Sequence, residues 1–320
     1  MSHSVLNRSA MSRSAMSRSA IVLTLLLIWP FLALAQSPQG EQAPNKLLGQ
    51  CAVEDLRTEP FAEWFEAGYD GYTPSLEITE ALKSTDFEGL QVDIFFGTWC
   101  GDSRRDVPRF LKVLDAMGLP EESRRLIAVD NAEGKTKRSP DGEDVGMEIY
   151  RVPTMIVRRD GQEVARIVEH AVLSLERDLL EVLSGDYEPS YPSYPVVRRW
   201  LAEGLLADAN VNPDGLALEV QGLVASGSDL RAVGTVLMAR GQVAEAVKLL
   251  EVNRSIFWEE AASHAHLARA QLELGDTEGA RTSVLRALAR NQDPEAIEGL
   301  VTIAERAAIR SQSQNADLGS

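Results

Sequence analysis

Gln91-Val92-Asp93-Ile94-Phe95-Phe96-Gly97-Thr98-Trp99-Cys100-Gly101-Asp102-Ser103 reads as a strand that turns directly into a helix. Val92, Ile94, Phe95 and Phe96 form a short apolar run rich in β-branched and aromatic side chains, the pattern of a strand buried on both faces. Beyond Gly97, residues Val107, Phe110, Leu111, Val113, Leu114 and Met117 recur at helical spacing. Pro108 falls inside this run and predicts a late helix start or a kink. Cys100 stands at the junction, where unpaired backbone N–H groups and the helix dipole favour a thiolate. It is expected to be nucleophilic.

Downstream, Tyr150-Arg151-Val152-Pro153-Thr154 leads into two strand patterns, Met155 to Arg159 and Glu163 to Val168. Asp160-Gly161 joins them and supplies the positive φ that a tight hairpin needs. An amphipathic helix follows from Leu173 to Leu183. The order strand, helix, strand, loop, proline, hairpin, helix resembles the thioredoxin superfamily, over roughly Tyr72 to Asp186. That resemblance implies an α/β domain with a central mixed sheet flanked by helices. It also implies a reactive Cys100 in a Trp-Cys-Gly-Asp-Ser motif, and a cis proline at Pro153 facing it. Trp99, Val152, Pro153 and Thr154 then border a bound peptide, with the proline loop presenting backbone.

Two departures bear on the chemistry. The family motif is typically Trp-Cys-Gly-Pro-Cys, and here Ser103 holds the place of the second cysteine, so a mixed disulfide at Cys100 has no resolving thiol within the motif. Six residues before the cysteine, where the family carries a buried aspartate that relays the resolving proton, this chain has Ile94. Asp93 is adjacent, but one step along a strand turns a side chain to the opposite face. Ser103 is placed one helical turn on, where its hydroxyl is expected to donate to the thiolate. Arg104 and Arg105 add positive charge near Cys100, and Asp102 opposes them.

The other cysteine, Cys51, is a resolving thiol, or the partner of Cys100 in a resting disulfide, if its Cα approaches that of Cys100 within about 7 Å, and otherwise a half-buried thiol with no redox role. The acidic loop Asp130 to Asp144 contains Lys135, Lys137 and Arg138, and reads as a solvated insertion or a substrate gate. His264 and His266 lie two apart on a helix and point to different faces, which disfavours joint metal ligation. With no clustered Cys/His set and no phosphate-cradling glycine loop, neither a cofactor nor a metal is expected.

Residues 1–35 carry Arg8, Arg13 and Arg18, no acids, an apolar run from Ile21 to Leu34, and Ala33-Leu34-Ala35 at its end. This is the pattern of a secretory signal peptide cleaved after Ala35, and it implies a periplasmic or secreted protein. The repeated Met-Ser-Arg-Ser-Ala offers Met11 and Met16 as alternative starts. Removing the segment takes away three arginines and no acid, so a net charge of −16 becomes −19. Nucleic acid and anionic membrane would be repelled. Protein or peptide thiols and disulfides are the expected partners.

After an N-terminal extension at 36–71 and the thioredoxin-like domain at 72–186, three prolines between Pro189 and Pro195 mark 187–195 as an extended linker. Its tyrosines either form a peptide-binding surface or lean on the adjoining domain. From 196 to 310 the composition turns to Ala, Leu, Glu and Arg. Gly241 recurs as Gly275, Ala246 as Ala280 and Leu250 as Val284, while Leu237 aligns with Gln271 and Leu249 with Ser283. This 34-residue period resembles two tetratricopeptide repeats, departing from the pattern at Asn253 and Ala268. The resemblance implies an all-α helical domain that recruits a protein partner or stabilises its neighbour, followed by a disordered tail at 311–320. Two functions are expected. One is thiol-disulfide exchange through a single cysteine, isomerase-like or reductase-like. The other is a non-catalytic adaptor or chaperone that binds peptides or partner proteins.

Overall fold

The computed structural model describes residues 46–291 and 298–309. The expected signal peptide and the tail at 311–320 lie outside the described residues. The first part of the chain contains β1 (Gly49–Cys51), α1 (Val53–Leu56), α2 (Ala62–Gly71), α3 (Leu76–Lys83), β2 (Leu90–Phe96), α4 (Gly101–Met117), β3 (Arg124–Ala128), β4 (Thr154–Arg159), β5 (Gln162–Val168) and α5 (Leu175–Ser184). The strands form one mixed sheet in the order β1-β3-β2-β4-β5. Strands β2 and β3 run parallel, and the other pairs are antiparallel.

Alternation along β2 explains why its apolar run is nearly continuous. Val92, Ile94 and Phe96 pack with Val107, Phe110, Leu111 and Leu114 of α4 in the main core. Phe95 joins Ile127, Val129 and Ile156 in a second cluster, on the opposite face of the pleat. Asp93 shares that second face, as the period of two requires. It is buried and bonded to Arg125 at 2.7 and 2.9 Å and to Arg158 at 3.0 Å.

Helix α4 differs from expectation at Pro108, which neither delays nor splits it: the helix begins at Gly101 and continues to Met117. Helix α2 lies across it with Gly68 on the proline ring. A Cβ at 68 would fall 2.6 Å from Pro108 Cγ, so glycine permits this approach. The sheet layer also begins earlier than Tyr72. Strand β1 pairs with β3, Cys51 opposite Leu126, and Leu56, Phe61 and Phe65 belong to the main core.

The second part is helical: α6 (Ser193–Ala202), α7 (Pro213–Val220), α8 (Gly227–Ala239), α9 (Val243–Ile256), α10 (Ala261–Leu274) and α11 (Thr277–Leu288), with helix again at 298–309. Helices α8 and α10 start 34 residues apart, at Gly227 and Ala261, as do α9 and α11 at Val243 and Thr277. Gly241 and Gly275 take φ of +78° and +90° in the two inter-helix turns. The polar residues that interrupt the repeat are partnered within it. Ser283 Oγ donates to Gln271 Oε1 at 2.7 Å, and Asn253 Nδ2 donates to Ser263 Oγ at 3.0 Å. These bonds satisfy Ser283 and the Asn253 amide N–H in buried positions where a lone polar group is costly, while Asn253 Oδ1 has no partner. No helix among the described residues is long and apolar enough to cross a membrane.

The segment 187–195 is not an extended spacer. Tyr191 and Tyr194 stack at 4.8 Å and are buried with Tyr150 and Val168 in the core of the helical part. Composition suggested a spacer because prolines break regular structure; the aromatic rings between them instead fill the joint, and α6 already begins at Ser193. Arg198 crosses the same joint to Glu148 at 2.6 Å and Glu163 at 3.1 Å.

Candidate functional site

Cys100 is the residue that caps α4. Its backbone is extended (φ −94°, ψ 126°), its N–H donates to Gly97 O at 2.9 Å, and its carbonyl accepts from the Arg104 N–H at 3.0 Å. A Cβ on Gly97 would lie 2.4 Å from the Trp99 ring, so glycine there lets the indole fold back over the strand end. Trp99 Nε1 then donates to Val129 O at 2.8 Å. The pairing of β2 with β4 sets Phe95 opposite Thr154, and this brings the loop ahead of Thr154 over the same end of the sheet. The half-buried Cys100 thiol donates to Val152 O at 3.3 Å, and the Val152–Pro153 peptide is cis.

Val152, Pro153 and Thr154 are buried, and Thr154 Oγ1 donates back to Arg151 O at 2.8 Å. What this loop offers at Cys100 is therefore the Val152 carbonyl. Ser103 departs from its expected role. It is fully buried, and its Oγ accepts the Gly97 N–H at 3.2 Å; it holds the turn and makes no bond to Cys100. The nearby charges are also committed. Arg105 binds Asp102 at 2.8 Å and Asp106 at 2.7 Å, which partly offsets Asp102 as an opposing charge, and Arg104 Nε donates to Thr98 O at 2.6 Å.

Cys51 is not placed to resolve a disulfide at Cys100. It lies in a row with Leu126 and Ile94, so two strand spacings, about 10 Å, separate it from β2. Its side chain packs against the main core, whereas Cys100 packs with the cluster on the other face. Both cysteines are free. Burial, with a smaller contribution from Asp55, pushes the Cys51 thiol up to about 12. It stays protonated at neutral pH and is a poor nucleophile.

Most of the loop from Asp130 to Asp144 is exposed, as a solvated insertion would be, but it is anchored at a few buried residues. Asp130, Ser139 and Asp144 are buried, the Asp130 N–H donates to Arg138 O, and the Lys137 N–H donates to Asp130 O, both at 2.8 Å. This return puts Lys137 in the left-handed region at φ +60° and sets its ammonium 4.2 Å from the Trp99 ring centroid. Burial pushes Lys137 below the usual lysine value, while the charges of Cys100 and Glu169 pull it back up and Arg151 adds to the fall. In the sequence Lys137 was one charge among several in an acidic loop. Its place depends on backbone pairing that no residue pattern announces.

Arg151, the residue before Val152, was likewise not singled out. It binds Glu169 with two bonds at 2.8 and 2.9 Å, Tyr194 Oη at 2.8 Å and Ser228 Oγ at 3.1 Å, with its guanidinium 4.8 Å from the Tyr191 ring centroid. Tyr191 donates to the same Glu169. The proline loop is thus tied directly to the start of α8. No family model matches this chain, nor does any curated protein or solved structure, so the functional argument rests on the residues gathered around Cys100.

Proposed function

We propose that this is an exported thioredoxin-like protein with tetratricopeptide-like repeats, which exchanges thiols and disulfides through Cys100 alone. The observation that carries the reading is the Cys100 sulfur at a helix N-cap, 3.3 Å from the Val152 carbonyl beside a cis proline. In the first step the Cys100 thiolate attacks one sulfur of a protein disulfide. A new S–S bond joins Cys100 to that sulfur, and the other substrate sulfur leaves as a thiolate that takes a proton from water. A second thiol, from the substrate or from a small external thiol, then attacks the substrate sulfur and returns Cys100 as thiolate. When the second thiol belongs to the substrate, the net result is isomerisation with no change in oxidation state.

Two features support external resolution. Ser103 supplies no thiol, and Cys51 lies on the other face of the sheet. Asp93 does not take over the relay, since two arginines hold it on the strand. Trapping in cells tests the reading with wild type, Cys100→Ala and Cys51→Ala. Mixed disulfides are expected in wild type and in equal amounts in Cys51→Ala, with complete loss in Cys100→Ala. Adducts that persist in Cys100→Ala, or that build up in Cys51→Ala, contradict it. A wild type without adducts points instead to an adaptor that holds peptides without turnover.

A further inference from the structure

We infer that Lys137 is the charge partner of Cys100, its ammonium held on the Trp99 ring beside the motif cysteine so as to favour the thiolate. The inference rests on the exchange function proposed above and names the residue that tunes it. Three observations lead to it. The first concerns the other cations near Cys100: Arg105 is paired with Asp102 and Asp106, Arg151 is paired with Glu169, and Arg104, still charged, is fastened to Thr98 O. Lys137 forms no ion pair with a carboxylate among the described residues, and its ammonium rests on the indole face.

The second is the company that Lys137 keeps. Cys100 and Trp99 approach from the junction of β2 and α4, Arg151 from the proline loop, and Glu169 from the turn after β5. Glu169 is already bonded twice by Arg151 and once by Tyr191. The remaining anionic complement of the ammonium is the Cys100 sulfur. The third is placement. The Lys137 backbone is fixed by the Asp130 return, and the indole beneath it is fixed by Val129 O at 2.8 Å. A cation over an indole is attracted by the ring quadrupole and stays charged in a half-buried place where an ammonium would otherwise be penalised. Lys137 moves no proton in this account. The proton of Cys100 goes to solvent, and the ammonium stabilises the charge left behind.

The test is the rate of iodoacetamide alkylation of Cys100 in the full chain, followed by intact mass from pH 5 to 10. It compares wild type, Lys137→Met and Lys137→Arg. A nearby opposite charge favours the thiolate, so Lys137→Met is expected to react roughly three- to tenfold more slowly at pH 7. Lys137→Arg should stay within about twofold of wild type, because the charge is kept, and the three profiles should converge at the alkaline end. Equal rates for wild type and Lys137→Met would overturn the inference alone. So would an equal loss in Lys137→Met and Lys137→Arg, which would mark a packing role. A wild-type rate no higher than that of an unstructured peptide thiol would remove the proposed function itself.

Discussion

Arg151→Met is expected to lower folding stability by about 2–4 kcal/mol, somewhat below the usual penalty when one partner of a fully buried ion pair is removed and the other is left behind. Arg151 and Glu169 are 17% and 20% exposed, so the charge left behind is only partly rehydrated. The arginine also bonds Tyr194 and Ser228, so its loss releases the joint between the sheet and α8 in the same event. Urea denaturation measures the stability change. Limited proteolysis within 187–195 reports the opened joint, which should be cut faster in the variant. Because the residue after Arg151 carries the carbonyl that accepts the Cys100 thiol, the alkylation rate of Cys100 should change as well. A variant with wild-type stability and wild-type proteolysis would show that the joint does not depend on this network.

Asp93→Ala is expected to have a similar effect on stability, about 3–5 kcal/mol, but none on Cys100. Asp93 is 1% exposed and balances Arg158, which is 16% exposed, together with the more open Arg125. Deleting the carboxylate leaves Arg158 charged and only partly hydrated, with Met147 Sδ at 3.0 Å and Gly161 O at 3.5 Å as its remaining side-chain partners among the described residues. Asp93 lies three residues before the end of β2, about 10 Å along the strand, and both arginines bind it away from the cysteine. Urea denaturation of Asp93→Ala should therefore show a lower midpoint, while the alkylation rate of Cys100 in the folded protein matches wild type. A slowed Cys100 would mean that Asp93 does act on the thiol, contrary to its place here.

The parts of this protein that were legible in the sequence are those set by local periodicity. The run from Val92 to Phe96 and the helical spacing from Val107 to Met117 each encode one element; β2 spans Leu90–Phe96, and α4 ends at Met117 but begins six residues before Val107, at Gly101. The Asp160-Gly161 turn was legible for a steric reason, and both residues take positive φ, +52° and +77°. The 34-residue period is matched by the helix starts of the two hairpins.

What escaped was set by tertiary contact. Strand β1 is three residues long, too short for alternation to register, and exists because β3 offers it an edge. Ser103 looked like a donor to the thiolate because helical spacing brings it near, yet in the fold it is buried and its oxygen accepts the Gly97 N–H, with no bond to Cys100. Lys137 owes its place to the backbone return between Asp130 and Arg138, and Arg151 to tyrosines that pack at the joint, as one reading of the sequence allowed, though nothing in the sequence named an arginine among them.

The central claim is that Cys100, and not Cys51, is the thiol that exchanges in the folded protein. Incubation of the intact, reduced chain with oxidised glutathione at neutral pH, followed by intact mass and peptide mapping, addresses it directly. The account predicts one glutathione adduct, on Cys100, with Cys51 modified only after denaturation because burial holds its thiol at about 12. A native chain that leaves Cys100 unmodified, or that takes the adduct on Cys51 instead, would contradict it.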